Sequence, residues 1–440
     1  MNAPVDAPTT LAGRLRQLGP GLIISAAIVG SGELIVVPKL GATAGFALLW
    51  FLVLGCVLKV FVQVELARHA IAHQETTLVA LDGLPGPRLR VSWVVWAWSL
   101  MYIGTVLQVG GIIGGITTIV RTLGSSWPEP VWLALVTASG IALLLSGRYS
   151  TVERFATVMV AVFTLCTVAA VVVLQWTPYR VTGAQLMEGF WPSTPASFTL
   201  AFAAFGVTGV GASELIYYPY WCLEKGYGRS VGAPTGAMSA WLARARGWMG
   251  VMRLDAFVSL GIYTVATLAF YLLGAAVLHR QSRDVSDADL LPSLAGMYEQ
   301  SLGPWSTGIF LVGAFVVLYS TFFVATASNA RLLVDASTLF GVIRPATDAA
   351  RRRAVQVACV LLPLASASAY LFWPRPVTLV LIGAVGQGLM LPLLAGAAVY
   401  FRHRRVPAGL APSLGWTIGL WISALLIAAV GLYQLVSHML

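Results

Sequence analysis

Eleven apolar stretches follow one another along this chain, at 19–45, 46–70, 93–120, 131–147, 153–175, 198–223, 256–279, 304–330, 355–373, 377–401 and 414–437. Each is long enough, as a helix, to cross a hydrocarbon core of about 30 Å. A bilayer leaves few alternatives, because a segment in lipid must pair every backbone N–H and C=O within protein. The pattern predicts an all-α membrane protein of about 11 transmembrane helices. Composition agrees: of 440 residues 58% are hydrophobic and 10% charged, whereas an ordinary soluble domain carries about 25% charged residues. The first 18 residues are polar and lead into a hydrophobic run far longer than a signal h-region, so no cleavable signal is expected. Cys56, Cys166, Cys222 and Cys359 all fall in apolar stretches without a C-x-x-C pair, which indicates neither a disulfide framework nor a thiolate metal site.

Charge tests the span count. With the N-terminus cytoplasmic, 20 of the 27 Lys and Arg fall on the inside, five (Arg121, Arg180, Arg280, Arg283 and Arg375) fall outside, and Lys39 and Lys59 lie within spans. A missed span would invert that bias downstream. Eleven spans place the C-terminus outside, and the expected location is a bacterial-type inner, or cell, membrane. The net charge of +10 therefore reports topology and contact with anionic membrane lipids, with no nucleic-acid partner. No Walker loop is present, which disfavours ATP-driven transport by this chain. Nor is there a reactive constellation of an enzyme, so neither a catalytic residue nor a cofactor is expected. The connectors at 71–92, 224–255 and 331–354, and the external loop 280–303 with Asp284, Asp287 and Asp289, read as solvated linkers.

One repeat is long-range. Gly30-Ser31-Gly32-Glu33-Leu34-Ile35, then Pro38, is echoed by Gly211-Ala212-Ser213-Glu214-Leu215-Ile216, then Pro219. Five spans separate the two starts, an odd number, so the second copy crosses the membrane in the opposite sense. That is the mark of an inverted 5+5 repeat. The implied organisation is a cytoplasmic segment 1–18, a first repeat 19–175, a second repeat 198–401 and an additional span 414–437. Glycine and small polar residues weaken a helix in mid-membrane, and a proline five residues after each Glu removes a backbone donor. Helices one and six are therefore expected to be broken, with free N–H and C=O groups that must line a cavity or hold a ligand. A mid-membrane carboxylate costs several kcal/mol unless partnered or wetted. The mirrored Glu33 and Glu214 are thus expected at the substrate site, although each also starts, and so caps, a half-helix.

The stretch 19–50 (GPGLIISAAIVGSGELIVVPKLGATAGFALLW) resembles the first span of Nramp-type divalent-metal transporters. Further echoes are VQVELAR at 62–68, RYSTVERF at 148–155 and GLMLP at 388–392. The resemblance implies the fold shared with LeuT-type symporters and a substrate held between broken spans one and six. It also shows departures. Where that family carries Asp-Pro-Gly-Asn, this chain has Gly30, Ser31, Gly32 and Glu33; where it carries Met-Pro-His, this chain has Gly211, Ala212 and Ser213, followed by Glu214. A common family Gln of span ten matches Met390, with Gln387 one turn earlier. The acidic residues of span three associated with proton movement are replaced by Thr105 and Gln108.

Two readings follow. Losing the thioether removes the preference for soft ions. Glycines in place of Asp and Met should enlarge the pocket while Glu33 and Glu214 stay at its wall as metal ligands, which suits a hard divalent cation such as Mg2+, hydrated or not, moved by alternating access. The alternative is a symporter of a small organic solute, an amino acid, an organic acid or a metal–organic-acid complex, whose carboxylate meets the N–H groups of the GSG and GAS breaks. A coupling H+ or Na+ fits either reading. Lys39, Lys59, Gln108 and Tyr217 are secondary or gating candidates. Glu65 is expected to pair with Arg68, Arg148 or Arg154, and Asp255 with Arg253. The histidines, His438 among them, lie at span ends or in loops.

Overall fold

The computed structural model describes residues 4–437 except 125, 147–148, 194–196, 235–236, 283–284 and 288; the side chains of 149–157, 159 and 290 are also not described. Arg148, Arg283, Asp284 and His438, together with the Arg154 side chain, lie outside these bounds.

Among the described residues nine helices are long and apolar enough to cross a membrane, and two shorter apolar helices, Glu129–Leu145 and Val160–Trp176, stand where spans four and five are expected. The second of these is the end of a helix that starts at Tyr149. Apart from a short hairpin, Arg88–Leu89 against Val91–Ser92, the regular structure of the described residues is helical. Burial sorts the spans. The most apolar windows of spans one (Pro20–Ala44) and six (Phe198–Lys225) are 89% buried, whereas that of span eleven (Leu414–Ser437) is 28% buried. Spans one and six are thus the core of the bundle, and span eleven presents Leu425, Leu432 and Leu435 outward. Span ten (Pro376–Arg404) packs against span three (Trp93–Thr122) and the first half of span six, and closes the centre.

Both expected interruptions are present. Span one runs as Pro20–Ile28, turns at Val29 (φ −70°, ψ 67°), passes through a π-helical turn Gly32–Val36, and resumes as Val37–Ala44. Gly30 N–H donates to Ile28 O at 2.6 Å, a three-residue turn in place of a helical bond. Span six runs as Phe198–Val207, leaves the helix through 208–211, and restarts as Ala212–Lys225.

Two expectations on connectors change. Span seven begins not near 256 but at Met238, because Trp241, Ala245, Trp248, Met249 and Met252 recur at helical spacing and are buried. The acidic external loop is structural: Asp287 accepts from Val377 and Thr378 N–H and from the Thr378 hydroxyl, so it caps span ten from outside the span. Asp255 does not pair with Arg253. Its carboxylate accepts from Gly19 N–H at 3.0 Å and Gly21 N–H at 2.5 Å, at the start of span one. Glu65 does pair with Arg68 at 3.1 Å, and also accepts from Trp416 at 2.7 Å.

Candidate functional site

The two breaks enclose a cavity of ≈ 30 Å3, room for an ion with a water or two. Span one contributes Ser31 and Gly32, span three Thr105 and Gln108, the restarted span six Ser213, Glu214 and Tyr217, span eight (Ser306–Leu339) Thr321 and Asn329, and span ten Gln387. The hydrogen bonds explain the arrangement. Gln387 Oε1 accepts from Ser213 N–H at 3.1 Å, and its Nε2 donates to Gln108 Oε1 at 2.9 Å, so one side chain joins spans three, six and ten. The Thr105 and Ser213 hydroxyls lie 3.4 Å apart. Tyr217 donates to Glu214 Oε1 at 2.9 Å and thereby fixes the one carboxylate that the described residues place on the cavity wall. Asn329 Nδ2 is spent on Ala325 O at 2.9 Å, while its Oδ1 is buried with no partner among the described residues.

The glycines do not create empty space. A Cβ on Gly30 would fall 1.9 Å from Thr321 Oγ1, so span eight already fills the volume in question. A Cβ on Gly211 would fall 2.5 Å from Gln387 Oε1 and 2.5 Å from Glu214 Oε2. Oxygens from neighbouring side chains occupy both positions, and the cavity is correspondingly small rather than enlarged. Ala212 is buried beside the break without lining the cavity.

Glu33 is also absent from the cavity wall. It is fully buried, and Oε1 accepts from the Thr267 hydroxyl of span seven at 3.0 Å, while Oε2 has no side-chain hydrogen-bond partner among the described residues. Lys59 of span two is equally buried, with its ammonium on the Phe205 and Thr208 carbonyls at the end of the first half of span six. Lys39 lies apart, in a 670 Å3 vestibule with Thr43, Ser197, Thr199, His279 and Ser282, and donates to Val285 O at 2.8 Å. That vestibule lies at the bundle face remote from residue 19.

The face that carries the start of span one is closed by charge pairs. Asp335 accepts from Tyr220 at 2.7 Å and Thr76 at 2.9 Å and pairs with Arg351 at 2.6 Å. Glu224 pairs with Arg331, whose guanidinium stands 4.7 Å from the Trp221 ring centre. Beside them, Glu75 is hydrogen-bonded to His69 at 3.0 Å, which holds its carboxyl below the usual range. The aromatic residues after Glu214 join these networks: Tyr217, Tyr218, Tyr220 and Trp221 each donate a hydrogen bond to a side chain.

Among the described residues no group of three or more His, Cys, Asp or Glu could hold a metal. The donors at the cavity are one carboxylate, amide oxygens and hydroxyls. Thr321, Asn329 and Thr267 are not marked by the mirrored motif; their signal is polarity inside otherwise apolar spans.

Comparison with known proteins agrees with this architecture. A family model described as natural resistance-associated macrophage protein-like, or Nramp, matches residues 21–437. A Pasteurella multocida protein is 22% identical over 326 residues, 70% of this chain and 67% of its own length. The manganese transporter of Eremococcus coleocola superposes with a TM-score of 0.69 at 16% identity, over 98% of this chain and 89% of that one. MhsT in complex with L-phenylalanine gives a TM-score of 0.56 at 15% identity, over 98% of this chain and 99% of that one. The shared fold is of the LeuT type.

Proposed function

The chain belongs to the Nramp family of secondary metal-ion transporters, and from that premise we propose that it moves a hard divalent cation, Mg2+ above others, through the cavity between the two breaks by alternating access. The observation that carries this is the donor set: the Glu214 carboxylate among amide and hydroxyl oxygens, with no sulfur and no imidazole on the wall among the described residues. Such a set offers a soft ion nothing that it does not offer Mg2+, which takes oxygen ligands at about 2.0–2.1 Å and keeps several waters. In this closed arrangement the small cavity admits only part of a hydration shell. Glu214 is the charged ligand; Ser31, Ser213, Gln108, Gln387 and the unpartnered Asn329 Oδ1 supply neutral oxygens, and Tyr217 orients the carboxylate. Gly30, Gly32, Gly211 and Ala212 shape the breaks, and Glu33 contributes charge from behind them.

The organic-solute reading is less well supported at the same place. The N-terminus of the restarted span six would have to receive a substrate carboxylate. Its Ser213 N–H is already held by Gln387, and its first turn carries Glu214, which repels an anion. The charge bias of the connectors supports a cytoplasmic N-terminus in a cell membrane, and rocking of 19–175 against 198–401 supplies the alternating access.

Uptake into proteoliposomes tests this. Wild type is expected to take up Mg2+ saturably, with Glu214→Gln raising the half-saturating concentration at least ~10–100-fold, the loss typical of weakened metal ligation. Mg2+ uptake unchanged in Glu214→Gln removes Glu214 from the site. No divalent flux, with saturable uptake of an amino or organic acid, transfers the function to the rival.

A further inference from the structure

A second buried polar cluster lies beside the breaks, and none of its members lines the substrate cavity. Its centre is Lys59, fully buried in span two. The Lys59 ammonium donates to Phe205 O and, at 2.6 Å, to Thr208 O, and it stands 4.8 Å from the centre of the Phe205 ring. Thr208 Oγ1, Tyr263 Oη and Glu33 Oε2 are buried with no partner among the described residues, and Cys56 and Glu33 are within electrostatic reach of both Lys59 and Tyr263. Gly209, in the break, packs on Cys56, one turn from Lys59, and on Tyr263, which ties these groups into one cluster.

The physics of the break explains a cation there. A helix that stops in mid-membrane leaves its last carbonyls without N–H partners, and they carry the negative end of the helix dipole. In a broken membrane helix such carbonyls are suited to a cation, and leaving them bare in a dry interior is costly. Lys59 meets that demand from within the chain. Two of its three ammonium protons are committed to the carbonyls, and the Glu33 and Glu214 carboxylates are both within electrostatic reach of its charge.

We propose that Lys59 is a tethered monovalent cation occupying an alkali-metal-type site at the break of span six, formed by Phe205 O, Thr208 O, the Thr208 and Tyr263 hydroxyls and the Glu33 carboxylate. The ligand class of the site, once the lysine is shortened, is a dissolved cation of sodium's size and single charge: several neutral oxygens and one carboxylate match that charge, as they match the ammonium. The wild-type chain then needs no sodium or potassium to hold the break of span six in shape, because the charge is built in. On this reading the mirrored glutamates divide their roles: Glu214 lines the cargo cavity, and Glu33, held by Thr267 behind it, contributes its carboxylate to the tethered-cation site.

The test compares wild type, Lys59→Ala, which vacates the site, and Lys59→Met, which fills it without charge. Purified protein is heated in NaCl or choline chloride at equal ionic strength, a readout independent of the cargo, and Mg2+ uptake is measured in the same salts. Wild type is expected to be indifferent to the exchange. Lys59→Ala is expected to gain a few degrees of thermal midpoint in sodium over choline and to recover uptake there, Lys59→Met to do neither, and Lys59→Ala combined with Glu33→Gln to lose the sodium response. A Lys59→Ala midpoint blind to sodium, or sodium dependence in the wild type, overturns the proposal. If Lys59→Ala is not stable in choline chloride, its recovery as folded protein decides: folding in NaCl but not in choline sustains the proposal, and failure to fold in both salts overturns it. A sodium-dependent midpoint in Lys59→Ala alone, with no Mg2+ uptake in any protein, would sustain the tethered cation and sink the cargo assignment instead.

Discussion

Gly30→Asp, which introduces the carboxylate that the Nramp resemblance implies for this position, is expected to abolish transport and lower the thermal midpoint rather than create a manganese site. The obstacle is the interlock between spans one and eight. A Cβ at position 30 would lie 1.9 Å from Thr321 Oγ1, 2.9 Å from Thr321 Cβ and 2.7 Å from Ala27 O. Thr321 is β-branched, and its hydroxyl is held by Val317 O at 3.0 Å, so it has little freedom to turn aside. Overpacking of this kind costs about 1–3 kcal/mol before charge is considered, and an unpartnered buried carboxylate adds several more. Gly30→Ala isolates the steric part and is expected to lose about 1–3 kcal/mol of stability. Because the clash belongs to a pair, Gly30→Ala with Thr321→Gly should recover most of that loss, a coupling visible in a double-mutant cycle. In the Thr321→Gly background, Gly30→Asp gains both room and a second carboxylate at the cavity, and calorimetry should register tighter divalent binding. Gly30→Ala with wild-type midpoint and uptake would show that the interlock yields, and the account of a filled glycine site would fall.

Much of the fold is legible in the chain because lipid imposes coarse rules: span length, helical hydrogen bonding and the distribution of Arg. The breaks are legible for a local reason, since Gly-Ser-Gly-Glu and Gly-Ala-Ser-Glu, each with a following proline, conflict with an unbroken apolar helix. The wall of the cavity is a different matter. Position on a helix says that Glu33 and Glu214 both sit at breaks; it does not say which way each points. Glu33 turns toward Thr267 in span seven and Glu214 toward Tyr217 one turn along its own helix, a distinction set by packing between spans far apart in sequence. The same holds for space. Replacing Asp or Met by glycine reads as a larger pocket only while nothing else moves in, and Thr321, Gln387 and Glu214 show that neighbours do. Asp255 beside Arg253 reads as an ion pair because sequence adjacency is visible and the start of span one, more than 230 residues earlier, is not.

Asp255→Ala is expected to release the first half of span one from the bundle. Asp255 is buried, and its two oxygens accept from Gly19 N–H at 3.0 Å, from Gly21 N–H at 2.5 Å and from the Tyr218 hydroxyl at 2.9 Å. The residue at the helix start is Gly19, which has no side chain to cap the orphan donors, so span seven supplies the cap in trans. The carboxylate also faces the positive end of the half-helix dipole. Hydrogen bonds to a charged group contribute about 1.5–3 kcal/mol each, and Asp255→Ala leaves three donors buried without an acceptor. A loss of about 3–5 kcal/mol, the range for breaking a buried charged contact, is the expected size. Asp255→Asn keeps one acceptor oxygen and should lose less. This latch reaches the cargo, because Ala27 and Ile28 at the other end of the same half-helix line the cavity, and Tyr218 sits one turn after Glu214. Loosening Gly19 and Gly21 therefore opens the cavity toward the face where span one begins. A cysteine placed at Ser31, in a chain whose four native cysteines are serine, reports this through its reaction with a membrane-impermeant thiol reagent added on that face. Labelling should quicken from wild type to Asp255→Asn to Asp255→Ala, and Mg2+ should slow it again by drawing the cavity closed around Glu214. Equal labelling in all three proteins would mean that the charge pairs around Asp335 and Glu224 hold the half-helix without Asp255.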